Sequence, residues 1–365
     1  MINVQFFPSK RIAFYMARLF LVRTLAVLAA LVLILMTLDL LGESGKILAP
    51  PQNGDAELWR YVSLRIPMLI ARFLPFAVLL GTLITLAALN QHSEVISMKA
   101  AGISAHQIIA PLIVASFAIA AISFAFNERV VTRAAAALGA WEAVDYGEVP
   151  RQSGVGSNVW VRRGEDLVHA RQISGRGEGV LLGGVTIYMR SAGTLDRIVN
   201  AGSARRVDGA WVLADATLFD VDAVTTTRVP AYRLAEDIDP TQFTLAGVDP
   251  DEQDFARLAR SIEDLRAAGR PTGALEANLW HKISGPLSAV LMPLLAAIAA
   301  FGLARSGQLF IRAVAGMGLG FAYFVADNFA IAMGNYGAYP PLLAAWGPFA
   351  LFALIGETVL IRTEE

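Results

Sequence analysis

The chain contains no cysteine and little charge for its size. Of its 365 residues, 17% are charged and 55% are hydrophobic, and the mean hydropathy is +0.53. A soluble domain of this length needs more charge to cover its surface, so the composition indicates a membrane protein. The missing cysteines exclude disulfides and thiolate metal sites. The net charge of −1 gives no general attraction to nucleic acid, and we expect no nucleic-acid partner.

Nucleotide-binding and hydrolase motifs are also missing. The chain has no glycine-rich loop ending in Gly-Lys-Ser or Gly-Lys-Thr, no H-E-x-x-H and no G-x-S-x-G. Within the apolar segments the only acidic candidates are Asp327 and Glu357, and neither belongs to a catalytic pattern. We therefore expect no catalytic residue, no cofactor and no metal site. An enzyme acting on lipid-linked sugars would need acids and bases to converge inside the membrane.

Long apolar segments dominate the rest of the sequence. A helix needs about 20 mostly apolar residues to cross a bilayer. Six segments meet this requirement: Leu19–Leu41, Arg65–Asn90, Ser104–Phe126, Ile283–Leu303, Ala313–Met333 and Leu342–Ile361. The sequence thus predicts a polytopic α-helical membrane protein with three spans in each half.

The stretch between the third and fourth apolar segments, residues 127–278, has a different pattern. Short alternating runs separated by glycine and aspartate predict antiparallel strands in a sandwich or a jellyroll-like domain. These runs are Asn158–Val161, Leu167–Ala170, Val185–Met189, Trp211–Ala214 and Thr225–Tyr232. A connecting helix is predicted at about 250–268, with Asp249 as its N-cap. The expected units are a membrane half at 1–126, the β-domain at 127–278 and a second membrane half at 279–365.

Positive charge near the span ends predicts the orientation, because Lys and Arg concentrate in cytoplasmic segments. The segment before the first span is basic, and further positive charges fall on the same side. They are Lys10, Arg11, Arg18, Arg23, Lys99, Arg305, Arg312 and Arg362. We expect both termini in the cytoplasm of a bacterial inner-membrane protein and the β-domain in the periplasm. Arg65, at the other side, is expected to reach the lipid headgroups.

The segment between the second and third spans, residues 90–102, is short, amphipathic and charged. It contains His92, Ser93, Glu94 and Met98. On composition alone it could be a solvated turn between helices, with Glu94 serving only as a favourable acid at a helix N-terminus. It could also be a coupling helix, which inserts into a separate ATPase and transmits its motion to the spans.

Several stretches together resemble the LptF/LptG permease family of the lipopolysaccharide exporter. They are Leu74–Gly81, Asn90–Gly102, Asn127–Val131, Leu279–Ile283 with Pro286–Ser288, and Phe324–Asp327. The resemblance covers nearly the whole chain and is weakest in the β-domain. The fourth-span entry and Phe324–Asp327 look more like the LptG branch than the LptF branch.

The resemblance implies a non-catalytic permease that extracts lipopolysaccharide or a related glycolipid from the inner membrane. Its implied partners are an LptF-like permease, an LptB-like ATPase dimer, an LptC-like subunit and an LptA-like periplasmic bridge. By the same likeness Glu94 meets a basic residue of the ATPase, with His92, Ser93 and Met98 beside it. An ion pair at such an interface fixes the register of the two partners.

The resemblance also implies a lipid cavity lined by the first and fifth spans. The candidates here are Leu38, Lys46, Phe321, Tyr323, Phe324 and Asp327. Relatives with lysines at the outer end of the first span contrast with the acidic stretch Met36–Glu43 here, which puts phosphate recognition in doubt. Asp327 could line the cavity or hold two helices together.

Two further functions stay open from the sequence. The chain could be the sister permease LptF, which would change its pairing and not its chemistry. It could also be a membrane-anchored scaffold whose β-domain binds a partner without transport. A scaffold would need neither a charged coupling helix nor a wide cavity for an amphiphile.

Overall fold

The computed structural model describes residues 9–148, 156–163, 165–175, 179–191, 193–207, 209–234, 238, 243, 248–267, 270–301 and 309–362. Within these residues, six helices are long and apolar enough to cross a membrane. They are spans 1 to 6: Lys10–Ile47, Asp55–Gln91, Ala105–Glu142, Gly273–Ile298, Val314–Asn335 and Pro341–Arg362. An antiparallel sheet lies between spans 3 and 4. The predicted fold class, six membrane helices with an inserted jellyroll-like β-domain, is confirmed.

Spans 1 to 3 are longer than the hydropathy pattern indicates. Span 1 has 38 residues and begins at Lys10, whereas the apolar segment begins at Leu19. At about 1.5 Å per residue this helix is about 57 Å long, which exceeds a hydrocarbon core of about 30 Å. Hydropathy therefore located the part that crosses the membrane and not the ends of the helix.

Shorter helices interrupt or join these spans. The loop helix, Glu94–Ala100, connects spans 2 and 3. Span 3 consists of Ala105–Phe126, a π-helical turn at Asn127–Val131 (the π turn) and Thr132–Glu142. The helix of span 4 continues to Phe301, and that of span 5 begins at Leu309. The end of the spans nearest the sheet is called the sheet side, and the other end the loop-helix side.

Spans 1 and 2 pack together very closely. A Cβ atom added at Gly81 would lie 2.8 Å from the Cα of Thr24, so only glycine permits this approach of the two backbones. On the loop-helix side the core includes Met16 and Phe20 of span 1 and Leu295 of span 4. A second apolar cluster, on the sheet side, joins spans 1 and 2 to the last part of span 3.

The sheet is a six-stranded antiparallel meander. Its strands, in spatial and chain order, are β1 Gly156–Arg163, β2 Asp166–Ser174, β3 Leu181–Ser191, β4 Thr194–Val207, β5 Ala210–Asp220 and β6 Thr225–Leu234. Side chains alternate between the two faces because the strand period is two residues. One face carries the buried row Val161, Val168, Ile187 and Val199 across neighbouring strands.

The buried face of the sheet is covered mainly by the sheet itself. Its apolar cluster consists of sheet residues together with Ile238 and Phe243. The indole Nε1 of Trp211 donates to the carbonyl of Ile238 at 2.8 Å, and its ring contacts that of Phe243. The described residues of this face are thus buried against one another and against Ile238 and Phe243.

The strand predictions were right for five strands and omitted one. β4, at Thr194–Val207, was not predicted, because its start carries Asp196 and Arg197 where apolar residues would mark a strand. In the folded sheet Asp196 is exposed, and Arg197 is half-buried and pairs with Asp220 of the neighbouring strand β5 at 3.4 Å.

The predicted start of the connecting helix was wrong. The connecting helix spans Phe255–Ala267 and not 250–268. Asp249 does not cap it, because its carboxylate accepts a hydrogen bond from the amide of Asp251 and closes a local turn. Asp254 takes that place, since its carboxylate accepts from the amide of Arg257 at 2.8 Å.

Candidate functional site

The loop helix forms an exposed surface at one end of the spans. Span 2 ends at Gln91, and Ser93 adopts a left-handed conformation with φ 59°, which turns the chain sharply. Val95 anchors the loop helix in the core of the spans, and Met98 packs against that core. His92 and Ser93 are exposed. The structure therefore places two of the four predicted coupling residues, His92 and Ser93, on the surface beside the half-buried Glu94, and Met98 packs beneath them.

Glu94 is the first residue of the loop helix and is half-buried. Its Oε1 accepts a hydrogen bond from the hydroxyl of Tyr15 of span 1 at 3.3 Å. A carboxylate at a helix N-terminus is favoured by the helix dipole, so this position suits its own helix. The single long hydrogen bond leaves most of its accepting capacity unused. Next to it, Ile96 is 65% exposed, which gives the surface an apolar and an acidic part.

The predicted cavity residues of spans 1 and 5 fall into two groups. Leu38 is 61% exposed and Phe321 is 59% exposed, so both lie on the outside of the chain. Tyr323, in contrast, is 3% exposed and packs edge-on against Phe352 of span 6. Phe324 packs edge-on against Phe76 of span 2, with ring centres 5.1 Å apart. One side of span 5 therefore faces outward and the other faces inward.

The acidic stretch of span 1 is compensated within the chain. Asp39 accepts hydrogen bonds from Arg65 at 2.9 Å through both of its oxygens, and from the hydroxyl of Tyr61 at 2.7 Å. Glu43 pairs with Lys46 at 2.9 Å and accepts from the hydroxyl of Tyr146. Arg65 therefore has a partner within the chain, the carboxylate of Asp39, and its contact with the headgroups stays a prediction.

A cavity of about 440 Å³, here the inner pocket, lies between spans 2, 3, 4 and 5 on the sheet side. Its polar lining includes Arg65, Arg72, Asn127, Asp251, Asn278, His281, Lys282, Asp327 and Asn328. Its apolar wall includes Phe76, Tyr323 and Phe324. Three stretches that carry the family resemblance, around Asn127, His281 and Asp327, thus meet in one place although they are far apart in the sequence.

Asp327 joins two spans inside this pocket. The Nε2 atom of His281 in span 4 lies 3.0 Å from Oδ2 of Asp327 in span 5. A carboxylate at this depth is costly in lipid, and pairing with a polar side chain lowers that cost. This contact agrees with the hypothesis that Asp327 holds two helices together. Asp327 also lines the inner pocket, so the geometry is compatible with the second hypothesis, that it lines a cavity.

The loop before the connecting helix, residues 248–254, closes the sheet side of the inner pocket through Pro250 and Asp251. It carries four acidic residues, and Glu252 contacts Gly139 at the end of span 3. Burial, with the neighbouring carboxylates of Asp249 and Asp251, raises the pKa of Glu252 to about 7. At neutral pH the carboxylates of this loop therefore repel one another.

No group of three or more His, Asp or Glu side chains that could hold a metal ion occurs within the described ranges. The chemistry that this arrangement offers is binding and movement: an exposed acidic surface on the loop-helix side, an outward apolar face on spans 1 and 5, and a polar pocket on the sheet side. Sequence reasoning missed the pocket as a unit. Its signal was ionisable residues in or next to apolar segments: Asp327 within one, and His281 and Lys282 directly before another.

Comparison with known proteins covers nearly all of the chain. Residues 14–362 match the family model described as lipopolysaccharide export system permease LptF/LptG. The lipopolysaccharide export system permease protein LptG of Escherichia coli strain K12 is 26% identical over 312 residues, which are 83% of this chain and 84% of that protein. LptG of Haemophilus influenzae is 26% identical over 335 residues, or 86% and 88% of the two chains.

Proposed function

Because the chain belongs to the lipopolysaccharide export system permease LptF/LptG family, we propose that it is the LptG-type permease of an ATP-driven lipopolysaccharide exporter. The chain is a multi-pass inner-membrane protein and a transport subunit. In this role it extracts lipopolysaccharide or a related glycolipid from the membrane and delivers it to a periplasmic bridge. The match over residues 14–362, which includes spans, loop helix and sheet, is the observation that carries the proposal.

The proposed partners follow from the family. An LptF-like permease would stand opposite the outward apolar face that includes Leu38 of span 1 and Phe321 of span 5, with the lipid cavity between the two permeases. An LptB-like ATPase dimer would bind the loop helix, and an LptC-like subunit and an LptA-like bridge would complete the path. The similar proteins of Escherichia coli and Haemophilus influenzae are both named LptG, which supports the LptG type over LptF. Both termini would then be cytoplasmic and the sheet periplasmic.

Glu94 is the proposed contact with the ATPase. It stands at the start of an exposed helix, and its one hydrogen bond to Tyr15 is long at 3.3 Å. A basic side chain of a partner could replace that bond with a stronger, charge-assisted one. Movement of the ATPase would then pass through Val95, which is buried in the core of the spans. Rigid-body movement of packed helices is a common form of such transitions.

The cargo need not be strongly phosphorylated. At the outer end of span 1 the acids Asp39 and Glu43 pair with Arg65 and Lys46, so the positive charge there is neutralised by acids of the same chain. Leu38 and Phe321 offer only apolar surface. We therefore propose that acyl chains supply most of the cargo contact on the outward face of this subunit.

Co-purification and ATPase activity of the reconstituted complex test this function. Glu94→Lys places a positive charge against the proposed basic residue of the ATPase and should reduce co-purification and ATPase activity by tenfold or more. Ser97→Lys is the matched control, because it adds the same charge to an exposed position of the same helix. Normal assembly and export by Glu94→Lys would exclude the coupling role. If the wild-type chain captured no ATPase, the scaffold function would be favoured instead.

A further inference from the structure

The π turn of span 3 places an acidic side chain beside the start of the connecting helix. A π-helical turn inserts a residue into the helical ladder, and such turns occur most often at functional positions. Glu128 is the second residue of this turn. Its Oε2 accepts a hydrogen bond of 2.6 Å from the backbone amide of Phe255, which lies 127 residues further along the chain.

This hydrogen bond completes the cap of the connecting helix. The first amides of a helix have no partner within it, and they carry the positive end of its dipole. Asp254 binds the amide of Arg257, and Glu128 binds that of Phe255, the first residue of the helix. Two carboxylates, one from the helix itself and one from span 3, therefore hold this end. The other oxygen of Glu128, Oε1, is buried and accepts no hydrogen bond from the described residues.

Lys282 of span 4 supplies positive charge to the same place. The residue is only 8% exposed. It lines the inner pocket together with Asn127 of the π turn and Asp251 of the loop, and its charge is attracted to the carboxylates of Glu128, Asp251, Asp254 and Asp249. Lys282 and Oε1 of Glu128 are buried, so removing the charge of Lys282 leaves this carboxylate uncompensated, which costs more than the loss of an exposed pair.

Apolar packing extends the contact along the connecting helix. Its residues Leu258, Ile262 and Leu265 are buried, at the spacing of one helical face. The helix is the segment by which the chain returns from the sheet to span 4. Glu128, Lys282 and the first turn of the connecting helix, here the Glu128–Lys282 clasp, thus join the sheet's return path to two spans.

We propose that Glu128 and Lys282 are positioning residues that lock the connecting helix to spans 3 and 4, so that movement of these spans is passed to the sheet. The lock is a property of this chain alone. Its use in transport rests on the proposed function. In that use, a movement that starts at the loop helix is carried by spans 3 and 4, through the clasp, to the connecting helix, which is the segment of the chain between the sheet and span 4.

Hydrogen exchange of the full chain in lipid nanodiscs tests the lock. Glu128→Ala should increase the exchange of the amides from Phe255 to Leu258 roughly tenfold or more, because a hydrogen bond to a charged acceptor is lost. Lys282→Met should increase it as well, and Lys282→Arg should restore protection. Arg129→Gln is the control, since it changes an exposed neighbour within the same π turn. Wild-type protection in both Glu128→Ala and Lys282→Met would overturn the proposal.

Should Glu128→Ala fail to fold, Glu128→Gln decides. It keeps an acceptor for the amide of Phe255 and removes the charge that faces Lys282. The lock predicts exchange between that of the wild type and that of Lys282→Met. Hydrogen exchange equal to that of the wild type in both Glu128→Gln and Lys282→Met would contradict the lock.

A distance measurement tests transmission separately from folding. The chain has no native cysteine, so spin labels can be placed at Arg133→Cys of span 3 and Ser203→Cys of the sheet without further changes. In the assembled complex, nucleotide should shift this distance distribution while the clasp is intact. In Lys282→Met the sheet distance should broaden and lose its nucleotide dependence, and Lys282→Arg should rescue it. A nucleotide-dependent shift that is unchanged in Lys282→Met would overturn transmission. If nucleotide did not shift the distance in the wild type, movement would not be passed to the sheet. The hydrogen-exchange result would still decide whether the lock exists.

Discussion

The two ends of span 2 use acidic and basic side chains differently. On the loop-helix side Glu94 has one hydrogen bond of 3.3 Å, to Tyr15, and its neighbours His92 and Ser93 are exposed. On the sheet side Arg65 meets Asp39 through two bonds of 2.9 Å, and Tyr61 adds a third to the same carboxylate. The carboxylate of Glu94 on the loop-helix side can thus still bind a partner, whereas Asp39 and Arg65 on the sheet side are paired within the chain.

This difference separates binding from stability. An exposed charge contributes about 0–1 kcal/mol to folding, so it can be exchanged without harm to the fold. A half-buried, doubly bonded pair contributes more, and breaking it leaves a charge without compensation. We therefore expect substitutions on the sheet side to change unfolding of the chain, and substitutions on the loop-helix side to change only its assembly.

Asp39→Asn should have the largest effect on stability. The neutral amide leaves Arg65 without its countercharge, and we expect a loss of about 2 kcal/mol in the free energy of unfolding. Thermal unfolding of the purified chain in detergent measures it. Asp222→Asn, in an exposed turn of the sheet, is the control and should unfold as the wild type does. Equal unfolding of Asp39→Asn and the control would show that the sheet-side pair is no stronger than a surface pair.

Glu252→Gln should have an intermediate effect that depends on pH. The pKa of Glu252 is raised to about 7, so the folded chain binds this proton more tightly than the unfolded chain. Stability contributed by protonated Glu252 is present below about pH 4.5 and is lost as the pH rises through about 7. The glutamine variant carries no such charge. It should be more stable than the wild type by about 1 kcal/mol at pH 8, after allowance for solvent screening.

The comparison with the wild type at low pH completes this test. At pH 4 both chains carry a neutral side chain at position 252, and their unfolding temperatures should agree. A stability difference that is the same at pH 4 and pH 8 would mean that the carboxyl group is not strained. In that case the charges of the loop at 248–254 would affect stability no more than the exposed charges of the loop-helix side do.

Glu94→Ala should have the smallest effect on the isolated chain. Loss of one long hydrogen bond from Tyr15 should change the free energy of unfolding by less than about 0.5 kcal/mol. Thermal unfolding of the purified chain, run beside Asp39→Asn, measures it. A loss as large as that of Asp39→Asn would place Glu94 in the folding core of the chain and remove the contrast between the two ends.

The sequence revealed the parts of the fold that depend on local patterns. Six apolar segments and five alternating runs could be located, because hydropathy and period-two alternation are read over short windows. β4, an inner strand, escaped because its early residues Asp196 and Arg197 are charged and not buried, so no apolar alternation marks its start. The connecting helix began at Phe255 and not at 250, because Asp249 closed a turn of its own. Whether Asp249 or Asp254 caps the connecting helix depends on contacts with other parts of the chain, such as the bond from Phe255 to Glu128.

The pairings of the candidate site could not be predicted in the same way. Arg65 and Asp39 are 26 residues apart, and Glu128 and Phe255 are 127 apart. Nothing local to either partner specifies the other, because the packing of the spans brings them together. The loop helix was located from its sequence, since its charge between two apolar segments is a local signal. The inner pocket needed the tertiary structure.

The most direct test of the central claim is ATP-driven release of lipopolysaccharide from proteoliposomes to a soluble β-jellyroll acceptor. The liposomes would contain this chain with an LptF-type permease and an LptB-type ATPase. The proposed function predicts release that requires ATP, falls at least tenfold with Glu94→Lys and is retained with Ser97→Lys. Assembly of the wild-type complex with ATP hydrolysis and no lipid release would contradict a role for this chain in export.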